Sequence, residues 1–203
     1  MYNTPVSQES IDKAVAALKT NGIESVVAKD GADAWIKVQE LIPKGAQVMT
    51  MTSITLDTLG IAKQLNESGE YDSVRAKFAK MDPAKDKREM KILGSAPEYV
   101  IGSVHAVTED GKVVIASNTG SQLPAYVYGA DHVVWVVGTQ KITKDIEDAQ
   151  KRLETYVLPL ESERANKAYN MTFGSAIRKE LIVNSEGTPG RITIVFVPEM
   201  LGF

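Results

Sequence analysis

Apolar residues in the first quarter of the chain alternate between helical and strand-like spacing. Residues 7–20 carry apolar side chains at helical intervals, and the β-branched segment 23–28 follows an Asn-Gly stop. A second apolar helical face covers 34–42, and a short apolar segment covers 46–50. This order of helix, strand, helix and strand predicts a parallel sheet that is covered by helices.

The centre of the chain predicts a hairpin followed by a buried strand. Residues 99–107 are rich in β-forming side chains, Glu109-Asp110-Gly111 is a tight-turn sequence, and 112–116 returns as the partner strand. Residues 133–137 are apolar at successive positions, which is typical of a strand buried on both faces. We therefore expect one mostly parallel sheet that includes an antiparallel hairpin.

The remaining segments add helices and a last strand. The charged segment 70–91 predicts two surface helices separated at Asp82-Pro83, and its mixed signs are typical of a solvated helix face. A short helix is predicted over 123–129, with Pro124 in its first turn, and a strand over 191–197.

Composition narrows the function classes. The chain has 203 residues, a formal charge of −3 and no cysteine, so Cys-ligated zinc or iron–sulfur clusters are excluded in this chain. Two distant histidines do not predict a metal site, and nicotinamide or flavin motifs are absent from the sequence. We expect one cytoplasmic domain, 1–203, that carries no cofactor of its own and binds neither nucleic acid nor membrane.

Polar loops follow two of the predicted strands. In an open α/β sheet the carboxyl ends of the strands are where ligands bind, and hydroxyl-rich loops with glycine offer donors to an anion. Simple helix capping is the alternative for the first of these loops. A lysine after the buried strand adds positive charge. The residues predicted to line a pocket for a small anion are Ser53, Thr55, Asn118, Thr119, Gly120, Ser121, Gln122 and Lys141.

Two side chains in the hairpin are candidates for catalysis. His105 titrates near neutral pH and can act as an acid or base, although a structural imidazole is the alternative. Glu109 lies in the turn, where a sheet-edge hairpin can place a carboxylate over the strand ends. Adjacent acids in a turn are also commonly solvated, so both interpretations stay open at this point.

Four ordered sequence blocks resemble one known family. The blocks are TSITLDTLGI, GSVHAVTEDGKVVIASNTGSQLPAY, GADHVVWVVGTQKI and YVLPLESERA, and together they identify the LUD (lactate-utilisation) domain family over roughly 8–200. The resemblance implies a three-layer α/β/α sandwich on a Rossmann-like sheet, in the superfamily of sugar-phosphate isomerases and CoA-transferases. It also turns attention to Glu161 and Arg164, which are either an exposed ion pair or a site that recognises a carboxylate.

The resemblance implies a function in lactate metabolism. Characterised relatives act in the oxidation of L-lactate to pyruvate beside iron–sulfur partner proteins, and this cysteine-free chain resembles the stand-alone subunit. Two alternatives remain. One is a free-standing isomerase or acyl- or CoA-transferase-like enzyme that acts on a sugar phosphate or CoA ester. The other is a non-catalytic assembly subunit.

Overall fold

Ten strands form two sheets in the computed structural model, which describes residues 2–170 and 172–203. The strands are β1 Glu24–Val27, β2 Gln47–Thr50, β3 Asp72–Ser73, β4 Tyr99–Gly102, β5 Ala106–Thr108, β6 Val113–Ser117, β7 His132–Gly138, β8 Ile142–Thr143, β9 Lys179–Val183 and β10 Ile192–Val197. Six strands make one sheet in the order β1-β10-β7-β4-β2-β3, and four make a second sheet in the order β8-β5-β6-β9.

Helices connect these strands and cover the six-stranded sheet. Two π-helical turns, Ala125–Gly129 and Leu153–Val157, and a 3₁₀ turn, Thr139–Lys141, complete the regular structure of the described residues. The α-helices are α1 Gln8–Thr20, α2 Gly31–Leu41, α3 Ile54–Thr58, α4 Ile61–Glu67, α5 Val74–Phe78, α6 Lys87–Ser95, α7 Ile146–Arg152 and α8 Leu158–Tyr169.

The six-stranded sheet is parallel throughout and buried on both faces. Its central strands β7 and β10 pair in register from Val133 with Ile192 to Gly138 with Val197. Side chains of α2, α3 and α4 pack on one face, and those of α1 and the second sheet pack on the other. Successive apolar residues in these strands suit a sheet that is covered on both sides. The α/β sandwich expected from the sequence is confirmed.

The antiparallel hairpin lies in the second sheet, and here the single-sheet expectation is wrong. Strands β5 and β6 pair antiparallel, β6 pairs antiparallel with β9, and β5 pairs parallel with β8. The segment 99–107 is therefore two strands, β4 in the large sheet and β5 in the small one. The chain crosses between the sheets over 103–105, and the apolar pattern does not change at this crossing.

Other expected elements are present with adjusted ends. Helices α5 and α6 flank Asp82-Pro83 as predicted, and the short edge strand β3 precedes them. The helix expected over 123–129 is the π-helical turn Ala125–Gly129. Among the described residues, none of the helices has the length and apolar character needed to cross a bilayer.

Candidate functional site

A cavity of about 290 Å³ opens where strands of both sheets end. Loops that follow β2, β4 and β6 line it, as do the turn after β7 and one side of α8. The carboxyl edge of the large sheet therefore faces residues from the small sheet across one space. This is the location that the polar loops predicted, and it is where open α/β sheets hold ligands.

Lys141 lies at the base of this cavity. Its side chain is 2 % exposed, and its ammonium donates hydrogen bonds to Thr55 Oγ1 at 3.2 Å, Ser103 Oγ at 3.1 Å and the Val104 carbonyl at 3.1 Å. All three partners are neutral oxygens. Burial and the nearby guanidinium of Arg152 lower the pKa of Lys141 to about 7.

The turn after β7 fixes the position of Lys141. A Cβ on Gly138 would lie 2.2 Å from Gln140 Oε1 and 2.7 Å from the Glu199 carbonyl, so glycine lets these segments approach. The amide of Gln140 donates to the Leu201 carbonyl at 3.0 Å, and Thr55 Oγ1 donates to the same carbonyl at 3.0 Å. The Leu201 carbonyl thus connects the turn that holds Lys141 to the start of α3.

His105 lines the cavity as a neutral imidazole. The Ala116 N–H donates to His105 Nδ1 at 3.1 Å, so Nδ1 is the acceptor and Nε2 carries the proton. Burial, Lys141 and Arg152 together lower the pKa of His105 to about 3. The ring can therefore donate a hydrogen bond to a ligand oxygen while it carries no charge.

Arg152 places a second buried cation behind His105. Its Nη1 donates to the His105 carbonyl at 2.5 Å, and its guanidinium carbon lies 5.3 Å from the Tyr156 ring centroid and 5.8 Å from that of Tyr2. Among the described residues, Arg152 Nε and Nη2 have no hydrogen-bond partner. Burial lowers the pKa of Arg152 to about 10, so the group stays charged near neutral pH.

The loop after β6 forms a second wall. Ser117 Oγ accepts from the Gly120 N–H at 2.8 Å and donates to Gln122 Oε1 at 3.0 Å, which closes the loop on itself. Gly120 has φ +85° and supports this turn, although it does not itself line the cavity. The other four residues predicted in this loop do line the cavity: Asn118, Thr119, Ser121 and Gln122.

The loop after β2 serves both as a helix cap and as a cavity wall. Ser53 Oγ accepts from the Leu56 N–H at 3.3 Å, which is the capping alternative considered for this sequence. Ser53 and Thr55 nevertheless both line the cavity. The two interpretations of this turn are therefore compatible.

Glu161 and Arg164 form an ion pair on the cavity wall. Arg164 Nε and Nη2 donate to the two carboxylate oxygens of Glu161, each at 2.7 Å. Both residues line the cavity, and their side chains are 24 % and 30 % exposed for Arg164 and Glu161. The structure thus places the pair at the site, with the carboxylate already engaging the guanidinium.

The family model of the LUD domain matches residues 11–197. The chain belongs to the LUD domain family. This family is related to lactate-utilisation proteins in general. A similar solved structure is a DUF162 family protein from Deinococcus radiodurans, with a TM-score of 0.59, 12 % identity, and coverage of 95 % of this chain and 99 % of that chain.

A second structural neighbour is more distant. It is eIF2B delta from Chaetomium thermophilum, with a TM-score of 0.38, 15 % identity, and coverage of 68 % of this chain and 54 % of that chain. None of the curated proteins compared with this sequence matches it.

Glu109 is the predicted site residue that this LUD domain places elsewhere. Its carboxylate accepts from Ser10 Oγ at 2.5 Å and lies 3.7 Å from Lys13 Nζ, both on α1. The hairpin turn packs against that helix, so Glu109 does not reach the strand-end cavity. A catalytic role for Glu109 stays a prediction, and this geometry offers it no access to the cavity.

Several residues that line the cavity of the LUD domain carry no local signal in the sequence. Ser103 lies within the segment 99–107, which was predicted to be one strand. Arg75 lies within the segment 70–91, which was predicted to form solvated surface helices. Arg75 Nε donates to the Thr50 carbonyl at 2.8 Å and Nη2 to Thr52 Oγ1 at 3.2 Å. The further lining residues include Thr52, Ser103, Ser117, Tyr126, Ser175 and Phe203.

The chemistry of the cavity suits an anion. Its charged lining residues are three cations, Lys141, Arg75 and Arg164, and one anion, Glu161. Hydroxyl groups make up most of the other polar groups on the side chains that line the cavity. No cluster of three metal-ligating side chains occurs within 2–170 and 172–203.

Proposed function

We propose that this LUD-domain protein binds a small organic anion at the strand ends, as a subunit of a system that oxidises L-lactate to pyruvate. Family membership supports the metabolic setting, and the cavity supports the ligand class. Iron–sulfur proteins are the proposed partners, because the resemblance to the lactate-utilisation family implies them. Electron transfer would depend on a partner, since this sequence has no cysteine and no nicotinamide or flavin motif with which to carry electrons.

The surroundings of Lys141 are the observation that favours an anionic ligand. A buried ammonium is costly unless an opposite charge compensates it. Lys141 has only neutral oxygen partners, and within the described residues it forms no ion pair with a carboxylate. A bound carboxylate or phosphate would supply the missing charge, and the hydroxyls of Ser53 and Ser121 line the same space.

A second candidate function is free-standing catalysis on a sugar phosphate or CoA ester. It is favoured by one further observation, that His105 and Lys141 line the same cavity with lowered pKa values. Two groups that are held away from their ordinary protonation states beside a cavity are typical of active sites. Turnover by the isolated chain, lost in Lys141→Met, would favour this candidate.

A thermal-shift screen tests the proposed ligand class. The probes are L-lactate, pyruvate, sugar phosphates, CoA esters and nucleotides, each added to the purified protein. A ligand at a hundredfold its dissociation constant adds about 2.7 kcal/mol of stability. Lys141→Met removes the buried charge and is expected to weaken binding by roughly tenfold to a hundredfold.

The matched control is Lys144→Met, which removes an exposed lysine three positions away. It should bind like the wild type. Absence of a shift with every probe would contradict the proposal and favour the assembly-subunit alternative. A shift that persists unchanged in Lys141→Met would place the ligand away from the base of the cavity.

A further inference from the structure

The amine of Lys141 has a use beyond attracting an anion. We propose that Lys141 is a nucleophile that forms a Schiff base with the carbonyl carbon of an α-oxo acid held in the strand-end cavity. This inference rests on the proposed function, because it requires an organic anion in that cavity. It adds the chemical class of the ligand and a covalent step.

The environment of Lys141 Nζ favours the neutral, nucleophilic amine. A lysine is nucleophilic only when it is neutral, and neutrality is favoured by burial and by a neighbouring cation. Both conditions are met here, since the side chain is 2 % exposed and the guanidinium of Arg152 is nearby. The lowered pKa, about 7, gives a substantial neutral fraction at physiological pH.

The groups around Lys141 Nζ can accept and donate the protons that the reaction moves. Thr55 Oγ1 gives its proton to the Leu201 carbonyl, so towards Lys141 it acts as an acceptor. Ser103 Oγ lies 3.1 Å from Nζ and has both a proton and lone pairs, so it can exchange a proton with the amine. The protonated Nε2 of His105 can donate a hydrogen bond to a carbonyl oxygen in the same cavity.

An α-oxo acid fits the cavity in size and in charge. Such a molecule carries a carboxylate next to a carbonyl group and is small enough for a cavity of about 290 Å³. Its carboxylate suits the hydroxyls and the excess of cations on the walls. Its carbonyl carbon is the electrophile that an amine requires.

The step balances without any redox partner. The electron pair of Nζ forms a bond to the carbonyl carbon, the C=O π electrons move to oxygen, and a proton passes from nitrogen to that oxygen. The resulting carbinolamine loses its hydroxyl group with one proton as water. Overall, the neutral amine of Lys141, the carbonyl compound and the one proton that the ammonium released before the attack give a protonated imine and one water.

Borohydride trapping tests this step on the intact chain. Pyruvate, a small α-oxo acid, is added on the basic side of pH 7, and borohydride then reduces any imine to a stable secondary amine. Mass spectrometry of the protein and of its peptides should find one addition per chain, located on Lys141. L-Lactate, which has no carbonyl carbon for this reaction, should give none.

Variants separate the covalent step from anion binding. Lys141→Arg keeps a positive charge and cannot form an imine, so it should lose the adduct completely. Lys144→Met should retain the adduct in full. Peptide mapping of the wild type gives the answer even where Lys141→Arg fails to fold.

Three results would overturn the inference, and the first two differ in what they mean for the proposed function. A thermal shift with pyruvate but no trapped adduct would refute the Schiff base and leave the proposed function standing. If pyruvate gives no thermal shift and no adduct, the inference is refuted. Binding of the other anions in the screen would then decide the proposed function. Adducts spread over exposed lysines at the level seen on Lys141 would also refute it.

Discussion

The base of the cavity and the hairpin turn each hold a charged side chain, but the two side chains differ in their burial and in their partners. Both belong to the small sheet, since Lys141 directly precedes β8 and the Glu109 N–H donates to the Thr143 carbonyl at 2.8 Å. Glu109 is 25 % exposed and already has Ser10 and Lys13 as partners. Lys141 is nearly enclosed and has only neutral partners. The charge in the turn is thus paired within the protein, whereas the ammonium of Lys141 has no carboxylate partner among the described residues.

The largest expected effect of this difference is on the pH dependence of stability. The folded pKa of His105 is lowered from 6.5 to about 3, so between these values the unfolded chain binds the extra proton. The free energy of unfolding therefore falls as pH drops through this window, by up to about 1.4 kcal/mol per pH unit from this group. For Lys141 the window is from about 7 to 10.5, and stability rises with pH across it.

Urea unfolding at a series of pH values measures these slopes. Lys141→Met should flatten the curve above pH 7, and His105→Gln should flatten it below 6.5. Arg152, which stays protonated near neutral pH, lowers the pKa of both side chains, and Lys141 also lowers that of His105. Equal slopes in Lys141→Met and wild type above pH 7 would contradict the assignment.

Each of the two regions contains a glycine at positive φ, so an alanine substitution at each tests how rigidly its backbone is held. Gly111, with φ +80°, lies in the hairpin turn, where a Cβ would be 2.7 Å from backbone atoms of Ala17 and Leu18 in α1. Gly120, with φ +85°, lies in the cavity loop, where a Cβ would be 2.7 Å from Cδ of the flexible Lys179 side chain. Gly111→Ala should lower the free energy of unfolding by roughly 2–4 kcal/mol. The backbone of α1 must move away from the new Cβ, and the alanine must adopt a strained positive φ.

Gly120→Ala should cost less, about 1–2 kcal/mol, because Lys179 can move aside and only the conformational cost remains. Chemical denaturation of the two variants beside wild type measures the difference. A cost for Gly120→Ala equal to that for Gly111→Ala would show that the cavity loop is as rigidly held as the turn.

The layered α/β fold could be predicted because its signals are local. Apolar runs such as 133–137 mark strands buried on both faces, and helical spacing marks the intervening layers. The division into two sheets could not be predicted, because β4 and β5 are similarly apolar and only long-range pairing separates them. Strand β9 was missed for the same reason, since its partner β6 lies more than sixty residues earlier.

The candidate site was predicted where it follows strand ends and missed where it depends on packing. Ser53, Lys141 and the loop 118–122 come directly after or near predicted strands, so their convergence follows from parallel topology. Arg75 reaches the cavity from a helix that packs beside β2, which no local pattern encodes. The position of Glu109 depends on the packing of its turn against α1, and the sequence does not specify that contact.

The smallest expected effects come from neutralising two carboxylates, one in each region. Glu109→Gln should change the free energy of unfolding by less than about 1 kcal/mol, because its partner Lys13 is largely exposed. It should leave anion affinity unchanged, since Glu109 lies outside the cavity. Glu161→Gln removes the negative charge among the cavity cations and should tighten anion binding by about threefold.

Isothermal titration of both variants with the anion found in the thermal-shift screen makes this comparison. Glutamine preserves the size of each side chain and some of its hydrogen bonds, so the difference isolates charge. Weaker binding in Glu161→Gln would mean that Glu161 acts mainly by holding Arg164 in position, since the loss of that support would outweigh the gain in positive potential. Weaker binding in Glu109→Gln would contradict the comparison itself, because it would move the ligand from the strand ends to the hairpin turn.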